Sequence, residues 1–383
     1  MKIIIAPDSF KGSLPGARVS AAVARGVRAE WPAAEIIERP MADGGEGTLD
    51  AFLSALSAEG ARRKQALVRN AAGESVEAAY VLFRDGVHEA ALIEVAQIVG
   101  IESPANLACP VEARTTRGVG ELMRLLLDQG IRHFYIGLGG TSTNDGGAGL
   151  LAALGVRFTG SFRRAVEPTP AGFAKLISVD VTGLDPRLEA CTIRLLTDVD
   201  NPLLGPRGAT RVFGPQKGVA AEAIEPLDAI LTNYADRLET ALGRRSARDA
   251  PGAGAAGGLG YALQLLGGRF ESGARTVARL IRLEAACAGA DWLITGEGRS
   301  DAQTLAGKTP MIAAEIFRSA CRPGAKVSLL SGGIAEEDAE ALEAIFDGGV
   351  FSIVPRPMPL ADAVMRAEAL IERAARQLAR LRS

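Results

Sequence analysis

The sequence predicts an α/β protein: a doubly wound parallel sheet built from both ends of the chain, with a mixed α+β domain inserted into it. Three observations carry this. Residues 1–60 alternate short β-type apolar runs with helical patterns. The same rhythm returns at the far end. Between them, three strand-like segments follow one another through Gly-containing turns, which is a meander and not a βαβ crossover.

Lys2–Ala6 reads Lys-Ile-Ile-Ile-Ala, the β-branched composition of a strand. Leu14–Glu30 sets Ala17, Ala21, Val23, Ala24 and Val27 at helical spacing. Glu35–Arg39 is the next strand and Thr48–Leu56 the next helix. Arg63–Arg69, Val76–Phe83 and Glu89–Val95 form the meander, turning at Gly73 and Gly86. A helix at Gly118–Gln129, a strand at His133–Ile136, a glycine-rich loop, a strand at Ile193–Thr197 and a helix at Glu222–Leu242 follow. The far end gives a strand at Asp291–Thr295, a helix at Pro310–Cys321, a strand at Lys326–Leu330 and a helix at Glu336–Phe346. A strand at Val350–Val354 and one long helix at Leu360–Leu381 close it. Junctions near 60 and 288 give one domain from 1–60 plus 289–383 and an inserted domain, 61–288. The active site is expected in the cleft between them.

The chain has 383 residues, enough for two domains with a sizeable core. Its net charge of −2 leaves no electrostatic footprint for nucleic acid. Cys109, Cys191, Cys287 and Cys321 lie too far apart for a zinc site or a disulfide framework, which points to a reducing, cytoplasmic setting. The opening apolar run is too short for a signal peptide, and no run is long enough to span a membrane. The expected partners are small molecules, with the protein a monomer or homodimer. Its two histidines, His88 and His133, stand beside β-type runs as structural residues. Acid–base chemistry therefore falls to carboxylates or lysine.

Gly137–Gly149, GLGGTSTNDGGAG, carries the most information. Six of its thirteen residues are glycine, mixed with Thr141, Ser142, Thr143, Asn144 and Asp145, between an apolar strand and an apolar helical pattern. Strand, glycine-hydroxyl loop and helix together bring backbone N–H groups to an anion. Comparable loops occur at Ala6–Ser13, Pro40–Gly47, Thr197–Pro202, Phe213–Gly218, Gly252–Gly258 and Thr295–Asp301. Seven such loops suggest one large site on a rigid scaffold. Asp198 and Asp200 flank Val199 and on a strand would face the same way; Glu297 and Asp301 share a loop with Gly296 and Gly298. Paired acids near strand ends suit Mg²⁺ beside substrate phosphates.

Two motifs are decoys. Gly252-Ala-Gly-Ala-Ala-Gly257 spells a dinucleotide fingerprint, but the charged Arg244–Pro251 stretch before it is not the required strand. Gly307-Lys308-Thr309 resembles the end of a P-loop, but Ala302 stands where its first glycine belongs. It reads as a helix start, with Thr309 as N-cap and Pro310 at the first helical position.

The segments Ala6–Ser13, Met41–Gly47, Thr115–Glu121, Gly137–Gly149, Asp198–Pro202, Val212–Gly218, Gly252–Gly258 and Ile294–Thr304 together resemble the class I glycerate kinase family, in family order along essentially the whole chain. The resemblance implies a flavodoxin-like domain with a separate inserted α/β domain. It implies ATP-dependent phosphorylation of D-glycerate, in this class usually on the 2-hydroxyl, with ATP and Mg²⁺. Arg117, Thr141 and Ala302 depart from the family pattern and remove no acid or lysine. Carried onto this chain, glycerate recognition falls to Asp8, Ser9 and Lys11, with Asp43 and Glu46 opposite. ATP phosphates fall to Thr141, Ser142, Thr143, Asn144, Gly146 and Gly147 or to Gly296 and Gly298, with Lys217 or Lys308 nearby. Mg²⁺ falls to Asp198 or Glu297, with Asp301 alongside. The base is Asp198 or Asp145, and Lys11 assists catalysis. The alternatives are a kinase for another small hydroxy acid, or a sugar-acid sensor that kept the fold and lost turnover.

Overall fold

In the computed structural model, which describes residues 1–244 and 247–382, the β-type runs become strands in chain order. These are β1 Lys2–Ile5, β2 Glu35–Glu38, β3 Arg62–Arg69, β4 Ser75–Asp85, β5 His88–Glu94, β6 His133–Gly137 and β7 Arg157–Thr159. They continue as β8 Ser178–Asp180, β9 Thr192–Leu196, β10 Arg269–Glu271, β11 Trp292–Ser300, β12 Lys326–Ile334 and β13 Val350–Ser352. Positions 245 and 246, within the charged stretch ahead of Gly252, and position 383 lie outside the described residues. Among the described residues no helix is long and apolar enough to cross a membrane.

The chain divides into two compact units. The first comprises Met1–Asp43, Gly47–Gly60 and Ala274–Ser383. Its sheet runs β2-β1-β11-β12-β13 with every pair parallel. Numbered within the unit, that is the 2-1-3-4-5 order of the flavodoxin-like sheet. Ile3, Ile5, Trp292 and Ile294 pack with Val19, Val23 and Val27 of the helix Gly16–Glu30 and Leu370, Ile371 and Leu378 of the helix Ala367–Leu381. The alternate residues Ile4 and Leu293 are fully buried on the opposite face. Burial on both faces explains why the strands read as unbroken apolar runs. The two helices lie so close that a Cβ on Gly26 would stand 2.3 Å from the Glu372 carbonyl oxygen. Arg25 pairs with Glu368 and Glu372 across the same seam.

Several boundaries differ from the sequence reading: the second domain junction falls at Gly273 and not near 288, β7, β8 and β10 arise in segments it left unassigned, and β12 runs on to Ile334. β11 does not stop at Thr295 but runs through Gly296–Gly298 to Ser300. Glycine is there because the neighbouring strand is close: a Cβ on Gly296 would sit 2.2 Å from the Leu330 carbonyl oxygen. The closing helix is two helices, Leu360–Met365 and Ala367–Leu381. A 3₁₀ turn, Glu336–Asp338, precedes the helix Ala339–Ile345.

The second unit comprises Gly44–Glu46 and Ala61–Gly273. Its sheet runs β3-β4-β5-β6-β9-β10, antiparallel from β3 to β5 and parallel from β5 to β10. Ile93, Phe134, Ile136 and Leu195 meet Val119, Leu122, Met123 and Leu126 of the helix Arg117–Asp128 in its core. His88 and His133 begin adjacent strands and stack with ring centroids 4.1 Å apart.

Candidate active site

Each unit gathers polar groups past the carboxyl ends of its parallel strands. In the first, the chain beyond Ile5 stays beside β11. The Ala6 N–H donates to the Ile294 carbonyl at 2.9 Å and the Asp8 N–H to the Gly296 carbonyl at 2.8 Å. The Thr295 hydroxyl donates to the Ala6 carbonyl at 2.8 Å. The boundary of β1 and β11 is where the strand order reverses, the place where open α/β sheets bind ligands.

Asp8 is 7% exposed there, and its Oδ1 accepts the Ser9 N–H at 2.6 Å. Burial, reinforced by the neighbouring Asp43 carboxylate, pushes its carboxyl up to about 7. A tight turn exchanges backbone hydrogen bonds between Phe10 and Leu14 and presents Lys11, whose Nζ donates to Asp43 Oδ2 at 2.8 Å. The Lys11 side chain remains 69% exposed. Gly298 lies against the same turn: a Cβ there would stand 3.4 Å from Phe10 Cα. This brings Glu297 within electrostatic reach of the Lys11 ammonium. Glu297 is buried, which raises its carboxyl, while Thr304 and Ser300 hydroxyls donate to its Oε1 at 2.6 and 3.0 Å.

Several residues assigned from sequence do other things. Gly296 and Gly298 are strand residues packed on neighbouring backbone, not an open phosphate loop. Asp301 is the N-cap of the helix Ala302–Leu305, accepting the Gln303 N–H at 3.0 Å, with Arg299 and Lys308 beside it at 3.6 and 3.5 Å. Asp301 and Lys308 are thus ion-paired with each other. Thr309 is the first helical residue and not the N-cap, which is Lys308; its hydroxyl is buried beside Asp8. Glu46 is exposed and belongs to the second unit.

In the second unit, residues 137–149 leave β6 and enter the helix Ala148–Ala153. Gly140, Gly146 and Gly147 all hold positive φ, which explains their identity. Asp145 is fully buried. Its carboxylate accepts from the Thr116 N–H, the Thr116 hydroxyl, the Gly149 N–H and the Gly147 N–H at 2.8 to 3.1 Å. Burial raises its carboxyl and these donors oppose the rise. A carboxylate so occupied ties two helix starts together, which gives Asp145 a structural role the sequence did not show.

Lys217 is 3% exposed, and its Nζ donates to the Thr143 carbonyl at 2.7 Å and the Thr141 hydroxyl at 3.3 Å. Burial pulls its ammonium down to about 7. Arg114 holds the same loop, donating to the Ser142 and Lys217 carbonyls at 3.0 and 2.9 Å. The Ser142 hydroxyl donates to the Val99 carbonyl, and Asn144 Nδ2 to the Thr210 hydroxyl. The Thr143 hydroxyl and Asn144 Oδ1 are buried with no hydrogen-bond partner. Asp198 lies just past β9, exposed, with Oδ1 accepting the Gly273 N–H at 3.1 Å. Because β9 ends at Leu196, Asp198 and Asp200 do not share a strand face; Asp200 pairs with Arg207.

The sequence matches the glycerate kinase family over residues 3–383. The chain belongs to that family. A glycerate kinase of Bacillus subtilis (strain 168) is 41% identical over 388 residues, covering 99% of this chain and 97% of that protein. A glycerate 2-kinase of Escherichia coli (strain K12) is 39% identical, covering 99% and 97%. A crystal structure of a putative glycerate kinase 2 from Salmonella typhimurium LT2 superposes with a TM-score of 0.82 at 40% identity, covering 100% of this chain and 98% of that one. For a glycerate kinase family member, the chain hides several of its supports from sequence reasoning. Thr116 falls in the matching segment Thr115–Glu121, but nothing in the sequence shows that its hydroxyl and N–H both serve Asp145. Arg114 gives no signal at all, since nothing near it in sequence marks it as buried.

Proposed function

We propose that this chain transfers the γ-phosphoryl group of ATP to the 2-hydroxyl of D-glycerate, giving 2-phosphoglycerate and ADP. The observation that carries the reading is the convergence of Asp8, Lys11, Asp43 and Glu297 at the strand-order reversal of the first unit. The names of the relatives support the same acid as substrate. Glycerate is a small anion with two hydroxyls. In this reading Lys11 and Ser9 take its carboxylate, and Asp43 fixes the Lys11 ammonium. Asp8 accepts the proton of the attacking hydroxyl. A carboxyl titrating near 7 is well matched to that task at neutral pH. The hydroxyl oxygen bonds to the γ-phosphorus, the bond from that phosphorus to the β–γ bridging oxygen breaks, and ADP leaves.

The loop at 141–147 and Lys217 are assigned to the nucleotide phosphates. Mg²⁺ would be held through one or two carboxylates plus substrate phosphates. Among the described residues no cluster of three His, Cys, Asp or Glu side chains forms a protein cage. Asp198, exposed just past β9, or Glu297 would hold it, and there it would neutralise phosphate charge. The test is ADP release from the purified protein with D-glycerate and ATP, followed by ³¹P NMR of the product. Glycerate-dependent ADP release with the phosphorus coupled to the C2 proton is the expected result. No release with glycerate, beside release with another hydroxy acid, would overturn it.

A further inference from the structure

We infer that a cavity in the second unit is the binding site for the nucleobase of the phosphoryl donor. The proposal rests on the ATP reading above and deepens it. The cavity, 260 Å³, lies beyond the carboxyl ends of the adjacent parallel strands β6 and β9. Leu138 follows β6, Val199 follows β9, and Ile101 and Phe213 complete an apolar wall. The polar end holds the Thr141 hydroxyl and the Lys217 ammonium, both nine-tenths buried or more and bonded to each other at 3.3 Å. The site is therefore two-faced: apolar where a flat ring would lie, cationic where the glycine-hydroxyl loop begins.

Size decides which part of the nucleotide it takes. Pockets for whole drug-sized ligands start at roughly 300 Å³. A cavity just under that holds a base with part of its sugar and leaves the phosphates on the loop. Glycerate is polar on every side and gains nothing from Ile101, Leu138, Val199 and Phe213. The glycine motif at 252–258 also finds its purpose here. Ala255 and Ala256 line the cavity, and Ala256 holds φ +53°, a conformation L-residues avoid. Gly257 and Gly258 follow with positive φ, and a Cβ on Gly257 would stand 2.0 Å from the Thr143 carbonyl oxygen. The motif is thus a wall of the cavity, fitted against the loop, and not a dinucleotide fingerprint.

The test uses the full chain. ADP and inorganic tripolyphosphate are titrated by calorimetry into the wild type and Phe213→Ala. Loss of one base–aromatic stacking contact predicts an ADP Kd raised about 10-fold. The tripolyphosphate Kd and the KM for D-glycerate should stay within about twofold. Phe213→Leu replaces Phe213→Ala if the latter does not fold. Independently, 8-azido-ADP photolabelling of the wild type should mark peptides containing Ile101, Val199 or Phe213, and excess ATP should suppress the label. An unchanged ADP Kd, a tripolyphosphate Kd that rises equally, or label confined to residues 1–60 and 274–383 would overturn the assignment. Weak ADP binding in Phe213→Ala alongside no glycerate turnover in the wild type would strike the proposed acceptor and leave this cavity standing. Normal glycerate turnover with an unmoved KM for ATP would do the reverse.

Discussion

Replacing Asp8 by Asn should make the protein more stable and less active, and both effects can be sized. The carboxyl is raised from 3.8 to about 7 by burial and by Asp43. That is about three pH units, and at 1.36 kcal/mol per unit the native state carries a strain of up to ~4 kcal/mol when Asp8 is ionised. The sign follows from proton binding. Between pH ~4 and ~7 the folded protein holds a proton on Asp8 that the unfolded chain has released, so stability falls as pH rises through this window and the loss is complete above it. The substituted amide stays neutral, and its oxygen still accepts the Ser9 N–H. The variant should therefore match the wild type near pH 4 and exceed it by ~2–4 kcal/mol at pH 8. Urea unfolding followed by tryptophan fluorescence reads the right part of the molecule, because Trp31 and Trp292, the chain's two tryptophans, both lie in the first unit. With Asp8 as the proton acceptor, kcat should fall at least ~10²-fold and the acidic limb of the wild-type pH profile, near 7, should disappear. An Asp8→Asn variant whose stability relative to wild type is the same at pH 4 and pH 8 would refute the reasoning.

Asp198→Asn keeps an acceptor for the Gly273 N–H but loses the charge; kcat should drop by at least ~10²-fold with an unchanged melting curve, and near wild-type turnover would remove Asp198 from the reaction. Lys11→Met should lower kcat/KM by ~10²-fold or more, roughly 3 kcal/mol, with poor rescue by arginine and little change in Tm, since the side chain is largely exposed; normal kinetics would return Lys11 to the surface. Asp145→Ala should destabilise the second unit by at least ~3 kcal/mol in far-UV circular dichroism melts, because buried N–H groups of Thr116, Gly147 and Gly149 lose their acceptor; a soluble, normally melting Asp145→Ala variant would show that the carboxylate is not structural.

The strand and helix rhythm was legible because a buried parallel sheet demands β-branched runs such as Ile3–Ile5, and amphipathic helices demand Val19, Val23 and Val27 on one face. Asp8, Lys11 and Asp43 were legible as a group because each follows a strand beside glycine or serine. What failed was the reading of glycine itself. A glycine that frees a loop and a glycine that admits a neighbouring backbone look the same in one sequence. Gly296 reads as the first kind and is the second. Acids failed likewise: Asp145 and Asp198 are both acids in polar loops past a strand, and only burial separates a carboxylate with four donors from one at the surface. The break at Arg366 was hidden because Leu360–Leu381 stays helix-compatible throughout.

The seam between the helices Gly16–Glu30 and Ala367–Leu381 sets a timetable for the nascent chain. Arg25 and Glu372 are 347 residues apart, and β1 finds its β11 neighbour through a bond from Lys2 to Asp291 spanning 289 positions. At 5–20 residues per second, roughly 15–65 s separate synthesis of the first two strands from arrival of the last helix. For most of that interval Ile3, Ile4 and Ile5 have only β2 to pair with, because β11 is not made until the chain of the second unit, 61–273, has been synthesised. The middle of this protein is thus free to fold before its beginning, and the waiting N-terminal strand is the segment a chaperone would be called on to shield.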